Sequence, residues 1–281
     1  MRFHKIKSYA KINMALNIVG KKKSLHKIES IISFVSLHDE IFIRKIKSSK
    51  HEILFKGKFS KNIGKNNTIS TLFKLLDERK LLNGKKFQIK IIKKIPNKAG
   101  LGGGSMNAAN ILKYFYINKI IKSDRKKIFG ISRLIGSDVI LGLNAKNLVL
   151  TSNDKIKFFK NCQKMHVLIT KPNFGCSTRL IYSKVKRFDK PNFSFPTKKM
   201  FNYDYLIKMK NSLEPIVLSK YSKLKTMKLF IRNFLNPVFV RMTGSGSSLV
   251  AYFYSKKRCE NAKKKFNKKY KNYWCIASKT I

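Results

Sequence analysis

Alternating polar and apolar positions predict β structure in the first part of the chain. SYAKINMALNIV, residues 8–19, alternates and is followed by a glycine, which predicts a strand. Residues 27–46 contain two more short apolar runs, and LHDE at residues 37–40 is expected to form the turn between them. HEILFKGKF from His51 and KKFQIKIIKKI from Lys85 continue this β character.

Helical spacing alternates with further strand-like segments in the rest of the chain. Asn67 or Thr68 is a suitable cap for the first helix. Helices are expected at NTISTLFKLLDERKL, at residues 107–116, at DRKKIFGISRLI, at residues 205–218 and 224–234, and at KRCENAKKKFNKKY. Strands are expected at NLVL, KIKFF, HVLITKP and LVAYFY, with SNDK as a turn. This irregular mixture favours a two-domain α+β architecture, with domains at residues 1–155 and 156–281.

Composition is typical of a globular chain. Of 281 residues, 43% are hydrophobic, and they are spread along the whole length, which argues against a disordered protein. No run approaches the roughly 18 apolar residues of a membrane-spanning helix, so we expect a cytoplasmic protein that does not bind membranes. The four cysteines have no CxxC spacing and are expected to be buried free thiols: Cys162, Cys176, Cys259 and Cys275.

The net charge raises the hypothesis of nucleic-acid binding. The chain has 63 Lys and Arg against 13 Asp and Glu, a formal charge of +50. The excess is nearly all Lys, spread throughout beside many Asn and Ile, which favours codon bias over a phosphate-binding groove, where Arg is the better ligand. We therefore expect no specific nucleic-acid partner, although so positive a field would attract a polyanionic small substrate.

A dense glycine loop is the strongest candidate for chemistry. In KIPNKAGLGGGSMNAANIL, residues 94–112, four glycines fall within five residues between a predicted strand and a predicted helix. A helix N-terminus offers unpaired N–H groups, and glycine lets a phosphate approach the backbone closely. No Lys-Ser or Lys-Thr follows the glycines, so this is not a P-loop. A phosphate-binding loop is favoured over a flexible turn, and its cation must come from elsewhere in the chain.

Four other places are candidates whose role the residue types leave open. Asp138 in LIGSDVILGL is a rare acid among apolar residues, where a carboxylate needs a partner or a function; capping the next helix is the alternative. Lys11 lies between apolar residues of the first strand, or on its exposed face. His26 is by default a surface histidine. RMTGSGSS, residues 241–248, is by itself a common turn before a strand.

Four motifs together, in chain order, resemble the GHMP family of small-molecule kinases. They are AKIN (10–13), PNKAGLGGGSMNAA (96–109), GSDV (136–139) and MTGSGSS (242–248). The resemblance implies an α+β fold with an N-terminal domain like ribosomal protein S5 domain 2 and a ferredoxin-like C-terminal domain. It also implies ATP as phosphoryl donor, Mg²⁺, and a small-molecule cytidylyl polyol as acceptor, since AKIN with GLGGGSMNAA is typical of that branch.

The resemblance also implies roles for matching positions. Asp138 would accept or orient the proton of the substrate hydroxyl, and Lys11 would keep Asp138 ionised and neutralise the migrating charge. Ser105 would lie near the phosphates or Mg²⁺. The ATP phosphates would contact Pro96, Asn97, Lys98, Ala99, Gly100, Leu101, Gly102, Gly103, Gly104, Ser105 and Met106. The substrate would contact Asn13, His26, Thr178, Tyr182, Thr243, Gly244, Ser245 and Gly246.

Several positions depart from the family pattern. The family usually has Gly-Tyr-His where this chain has Ser24, Leu25 and His26, so the aromatic residue that stacks on cytosine is absent at position 25. Tyr182 is expected to contact the base, with Leu25 packed on the other face. Further departures are Met106 for Ser, Ile140 for Pro and Ser212 for Asp. They bear on the substrate more than on the reaction.

Two alternatives stay open from the sequence. A related GHMP kinase that acts on homoserine or a mevalonate-like alcohol is compatible with Leu25. A basic nucleic-acid-binding protein is compatible with the charge. The sequence does not distinguish a monomer from a homodimer.

Overall fold

The computed structural model describes residues 2–22 and 25–281 and divides into two units. The first two strands, β1 (His4–Lys22) and β2 (Leu25–Ile46), contribute to both units. The predicted domain boundary between residues 155 and 156 stays a prediction. Unit 1 comprises Met1–Ala10, Leu37–Asn97 and Gly102–Ala145, and unit 2 comprises Lys11–Ser36, Lys98–Leu101 and Lys146–Ile281.

Strand β2 continues without a break through LHDE, so the predicted turn there is wrong. The reason is Asp39, whose side chain is fully buried. Its carboxylate accepts the N–H groups of Lys94 (2.7 Å) and Ile95 (2.8 Å) and the side-chain amide of Asn107 (2.9 Å), and it pairs with the ammonium of Lys93. Aspartate is depleted in strands in general, but these buried partners stabilise it here.

Unit 1 combines strands with a layer of helices. Strand β3 (Glu52–Lys56) pairs in parallel with β4 (Lys86–Ile92), and β4 pairs antiparallel with the end of β2. The expected helix after Asn67 is confirmed, and the Asn67 side chain accepts the N–H groups of Ile69 and Ser70. The helices are α1 (Thr68–Glu78), α2 (Gly103–Ile117), α3 (Arg125–Ile135) and α4 (Val139–Gly142). Their apolar faces form one buried cluster with β2 and β4.

Unit 2 contains a four-stranded antiparallel sheet in the order β10-β7-β9-β8. Numbered within this sheet, the strands lie in the order 4-1-3-2, which is the arrangement of a ferredoxin-like sheet and confirms that expectation. Its strands are β7 (His166–Lys171), β8 (Phe239–Met242), β9 (Leu249–Phe253) and β10 (Trp274–Lys279). Strands β8 and β10 were not predicted. The hairpin of β5 (Asn147–Leu150) and β6 (Ile156–Phe159) pairs with the first part of β2.

The predicted helix at residues 205–218 is wrong, because two short helices occupy this region. Between them Leu16 donates its N–H to Lys210 O (3.0 Å) and accepts the N–H of Ser212 (2.9 Å), which ties the segment to β1. Pro215 lies in the first turn of the second helix, where proline is tolerated. The helices of unit 2 are α5 (Thr178–Ser183), α6 (Tyr203–Ile207), α7 (Glu214–Lys220), α8 (Ser222–Phe234) and α9 (Lys256–Lys269).

The cysteines form no disulfide bond in the described part of the chain. All four cysteines are free, and Cys176 and Cys259 are buried whereas Cys162 and Cys275 are half-buried. Burial raises the pKa of the Cys176 thiol to about 11. Among the helices within residues 2–22 and 25–281, none combines the length and the apolar character needed to cross a membrane.

We expect Asp39→Ala to lower the free energy of unfolding by about 3 kcal/mol or more, because it leaves the buried Lys93 ammonium without its carboxylate. Glu40→Ala is the matched control. The neighbouring carboxylate of Glu40 pairs with two half-exposed lysines, Lys5 (2.6 Å) and Lys94 (3.1 Å), and its loss should cost about 1 kcal/mol or less. Urea unfolding measures both, and equal losses would contradict the importance of the buried pair.

Candidate functional site

The N-terminus of α2 in unit 1 presents unpaired backbone donors. Its N-cap is Gly102, with a φ of 67° and no side-chain capping hydrogen bond. The first intrahelical bond runs from Met106 N to Gly102 O (2.8 Å). The N–H groups of Gly103, Gly104 and Ser105 therefore have no intrahelical acceptor, and with the helix dipole they suit an anion.

Two glycines of the predicted loop belong to the first turn of this helix, which begins before the expected Asn107. A Cβ at Gly103 would lie 3.0 Å from Ile95 Cγ2, and one at Gly104 would lie 3.1 Å from Thr68 Oγ1. The Thr68 hydroxyl also donates to Gly104 O at 3.0 Å. Glycine here therefore allows close packing around the helix start.

Asp138 is half-buried and directly precedes α4, but its side chain makes no capping hydrogen bond to that helix. Helix α4 packs tightly on α2, since a Cβ at Gly142 would lie 2.7 Å from Ala109 Cβ and 2.8 Å from Met106 Sδ. Met106 is itself fully buried. Asp138 is thus carried by an element that is packed directly on the helix of the glycine loop.

In unit 2, one hydroxyl connects three of the sequence motifs. Thr243 Oγ1 accepts the N–H of Asn13 (2.9 Å) and donates to Gly100 O (3.1 Å), and the residue is fully buried. Gly100 has a φ of 71°, and a Cβ there would overlap the carbonyl oxygen of Thr243. Ser248 N donates to Ala99 O at 3.3 Å. The late glycine turn is therefore a buried support for the first loop.

Lys11 is 5% exposed, so it does not lie on an exposed strand face. Its ammonium donates to Asn13 Oδ1 at 2.7 Å, and its N–H donates to Leu101 O at 3.1 Å. Asn13 Nδ2 in turn donates to Ser30 Oγ at 2.8 Å. The side-chain amide of Asn13 therefore fixes the position of the Lys11 ammonium.

Two residues that sequence reasoning did not assign hold the late glycine turn. Asn211 Nδ2 donates to Met242 O and Gly244 O, both at 2.8 Å. Glu214 Oε2 accepts Met242 N at 2.6 Å, and its other oxygen pairs with Lys228. The same rarity that identified Asp138 also applies to a buried acid such as Glu214.

The predicted substrate residues of unit 2 form two pairs. The rings of His26 and Tyr182 lie 5.1 Å apart between centroids, and the hydroxyls of Thr178 and Ser245 lie 2.8 Å apart. Burial, and then the charge of Lys21, lower the pKa of His26, so its ring is mainly neutral at pH 7. Leu25, which was expected to pack against the base, is 72% exposed. Ser24 lies outside the described residues.

The remaining predicted residues of the two loops vary in exposure. Pro96, Ala99 and Leu101 are buried, whereas Lys98 is exposed with a φ of 50°. Asn97 Nδ2 donates to Phe59 O at 2.9 Å. A Cβ at Gly246, the last predicted substrate residue, would lie 2.9 Å from Met242 Sδ. Contacts with other residues of the protein thus fix both glycine loops in position.

Comparison with known proteins agrees with this fold and with the loop. The family model "GHMP kinases N terminal domain" matches residues 67–145. A 4-diphosphocytidyl-2-C-methyl-D-erythritol kinase from Pelagibacter ubique (strain HTCC1062) is 56% identical over 281 residues, all of both chains. A crystal structure of 4-(cytidine 5'-diphospho)-2C-methyl-D-erythritol kinase superposes with a TM-score of 0.80 at 21% identity, covering 99% of each chain. Homoserine kinase from Cytophaga hutchinsonii gives 0.67 at 14% identity, covering 100% of this chain and 95% of its own.

The fold and the glycine loop thus define a kinase of the GHMP type, and the expected fold class is confirmed. The 56% sequence identity over the full length of both chains identifies the family within this class of kinases. The chain belongs to the family of 4-diphosphocytidyl-2-C-methyl-D-erythritol kinases.

We expect Gly100→Ala to be far more damaging than Gly84→Ala. Both glycines have a positive φ, 71° and 73°, so both substitutions carry the backbone cost of about 1 kcal/mol. Only at Gly100 would the new Cβ also overlap the Thr243 carbonyl, whereas Gly84 has open space within 4 Å. Urea unfolding compares the two variants, and similar losses of stability would contradict the close approach of the two loops.

Proposed function

We propose that the chain transfers the γ-phosphoryl group of ATP to the 2-hydroxyl of 4-diphosphocytidyl-2-C-methyl-D-erythritol, a step in non-mevalonate isoprenoid precursor synthesis. The observation that carries this proposal is the 56% identity, over the whole of both chains, to the Pelagibacter ubique kinase named for that substrate. Similarity to homoserine and mevalonate kinases, at 14% identity, supports a shared fold alone. We place the reaction in the cytoplasm.

The start of α2 fits the phosphates of ATP. The N–H groups of Gly103, Gly104 and Ser105 have no intrahelical acceptor, so they can bind phosphate oxygens along the proposed ATP segment, residues 96–106. No group of three or more His, Cys, Asp or Glu side chains that could hold a metal ion is found in the described part of the chain. The hydroxyl of Ser105 would supply one hard oxygen to Mg²⁺. When bound, Mg²⁺ neutralises phosphate charge.

The roles of Asp138 and Lys11 follow from the needs of phosphoryl transfer. This reaction depends mainly on positioning and on stabilisation of charge. We assign Asp138 to accept or orient the proton of the substrate hydroxyl, and the close packing of α4 on α2 fixes the backbone that carries it. We assign Lys11 to neutralise the charge of the transferred group. Its ammonium is buried and held by Asn13 Oδ1, so little reorganisation is needed.

We assign the other predicted substrate residues to two tasks. His26 and Tyr182 would contact the cytosine, and the neighbouring hydroxyls of Thr178 and Ser245 would bind the polar part of the substrate. The remaining four have buried and already bonded or closely packed groups, so they would act by holding the site in shape: Asn13, Thr243, Gly244 and Gly246.

The test of substrate identity is a coupled assay of ATP consumption with a panel of alcohols. We expect turnover with 4-diphosphocytidyl-2-C-methyl-D-erythritol, and rates at the level without added alcohol for homoserine and mevalonate. Phosphorus NMR of the product should show a new phosphomonoester on the cytidylyl compound. Turnover with homoserine or mevalonate, together with no reaction of the cytidylyl compound, would refute the proposed substrate.

We expect Asp138→Asn to lower kcat by about 100-fold or more, the size typical of lost proton-transfer catalysis, while ATP still binds. Asp124→Asn is the matched control. Asp124 caps α3 in the same unit by accepting Lys127 N at 2.7 Å, and asparagine keeps that acceptor, so its kcat should stay within about twofold of wild type. Near-normal turnover by Asp138→Asn would refute the assignment.

A further inference from the structure

Phe188 is an aromatic side chain beside His26 to which the sequence assigns no role. Its ring centroid lies 6.4 Å from that of His26, at an interplanar angle of 55°, and Tyr182 lies 5.1 Å away from the same His26 ring. Both distances fall in the range of roughly 4.5–7 Å at which aromatic rings interact. His26 therefore has an aromatic neighbour in α5 and another in the segment that follows α5.

Phe188 is 51% exposed, although the residue after it is firmly held. Asp189 N donates to Ile18 O at 2.7 Å, and Ile18 N donates back to the Asp189 carboxylate at 3.1 Å. The same carboxylate pairs with Lys210 at 2.6 Å and accepts the hydroxyl of Ser212. The backbone at Phe188 is thus fixed against β1, and an exposed ring in a fixed position can contact a ligand at little entropic cost.

The pKa of Asp189 is consistent with firm binding of this residue to β1 and to the segment before α7. Burial alone would raise the pKa of its carboxyl group, but hydrogen bonds from Lys210, Ser212 and Ile18 N outweigh burial and hold the pKa below its ordinary value. Asp189 is therefore ionised at neutral pH, and its bonds persist under assay conditions. Ser212, which departs from the family pattern, is one of these partners.

Position 25 explains why another aromatic ring matters. Leu25 is 72% exposed and has no aromatic ring, so it cannot supply the stacking that a flat nucleobase favours. Phe188 belongs to the same unit as His26, and its exposed ring is a neighbour of the His26 ring, so it can supply an aromatic surface next to this histidine. The exposed apolar face of Phe188 would become buried only when a base occupies the site.

We propose that Phe188 is a specificity-determining residue that forms one wall of the nucleobase subsite, beside His26 and Tyr182, and supplies the aromatic contact that Leu25 lacks. This inference rests on the proposed function, which makes the base a cytosine. It adds a residue outside the family motifs to the binding of the substrate. It does not involve the phosphoryl-transfer step.

The experiment compares four full-length variants with wild type: Phe188→Ala, Phe188→Leu, Phe188→Tyr and Phe195→Ala. Phe195 is the matched control, because it is a phenylalanine of the same unit that is 89% exposed. For each variant, the coupled assay gives kcat and the KM values for the cytidylyl substrate and for ATP. Isothermal titration with cytidine 5'-diphosphate, without ATP, gives binding to the subsite independently of turnover.

We expect Phe188→Ala to raise both the KM for the cytidylyl substrate and the Kd for cytidine 5'-diphosphate about tenfold, as for a lost base-stacking contact. Phe188→Leu should recover only part of this, while Phe188→Tyr and Phe195→Ala should stay within about twofold of wild type. The kcat and the KM for ATP should not change. A purely structural role of Phe188 would change them too.

Three results would overturn the inference: Phe188→Ala within twofold of wild type, an equal rise in the KM for ATP, or an equal effect of Phe195→Ala. Wild-type protein that binds no cytidine 5'-diphosphate would also overturn it. Wild-type protein that binds this nucleotide but does not phosphorylate the cytidylyl substrate would refute the proposed function instead. The titration would then still decide whether Phe188 contacts the base.

Discussion

The hydroxyl of Thr243 is the contact on which the arrangement of motifs in unit 2 depends. A buried hydroxyl must be hydrogen-bonded, and this one satisfies Asn13 N on one side and Gly100 O on the other. Asn13 in turn receives the Lys11 ammonium. A change at Thr243 would therefore affect both the strand that carries the cation and the first glycine segment. The absence of a Cβ at Gly100 is what permits this spacing.

Unit 1 uses a buried carboxylate in a comparable way. Asp39 accepts two backbone N–H groups from the residues that follow β4, together with the amide of Asn107 in α2. It thereby fixes the exit of the strand and the body of the helix on either side of the glycine loop. Backbone donors and acceptors near such a loop cannot all be satisfied within a helix or a strand. Buried polar side chains such as that of Asp39 supply the remaining hydrogen-bond partners.

The local periodicity of the sequence was sufficient for most elements but not for these buried contacts. The helix capped by Asn67 and the strands on either side of SNDK were predictable, because spacing and capping residues act locally. LHDE was mistaken for a turn, since the partners of Asp39 lie more than fifty residues away in the sequence. The break between α6 and α7 depends on Leu16 of β1, which is even more distant in the sequence.

The candidate site, like the fold, was predictable where the signal is local in the sequence. The glycine loop, Lys11 and Asp138 are found through motifs, whereas Asn211 and Phe188 act through tertiary contacts that no motif contains. The resemblance assigned both His26 and Tyr182 to the substrate without pairing them, and their rings are neighbours in the structure. The burial of Thr243 was not expected, because a run of glycine and hydroxyl residues is typical of an exposed turn.

Because lysine is so abundant, the sequence alone does not show which cations serve the site. Burial distinguishes a few of them from the rest. Most lysines are exposed, but Lys11, Lys93 and Lys171 are buried. Their ammonium groups donate to Asn13, to Asp39, and to the carbonyl oxygens of Pro172 and Phe174, respectively. An ammonium is costly to bury unless it is paired or hydrogen-bonded, so codon bias alone does not account for these three positions. The hydrogen bond to Asn13 Oδ1 orients the Lys11 ammonium. A buried ammonium in a fixed orientation supports the proposed role of Lys11 more strongly than the net charge of the chain does.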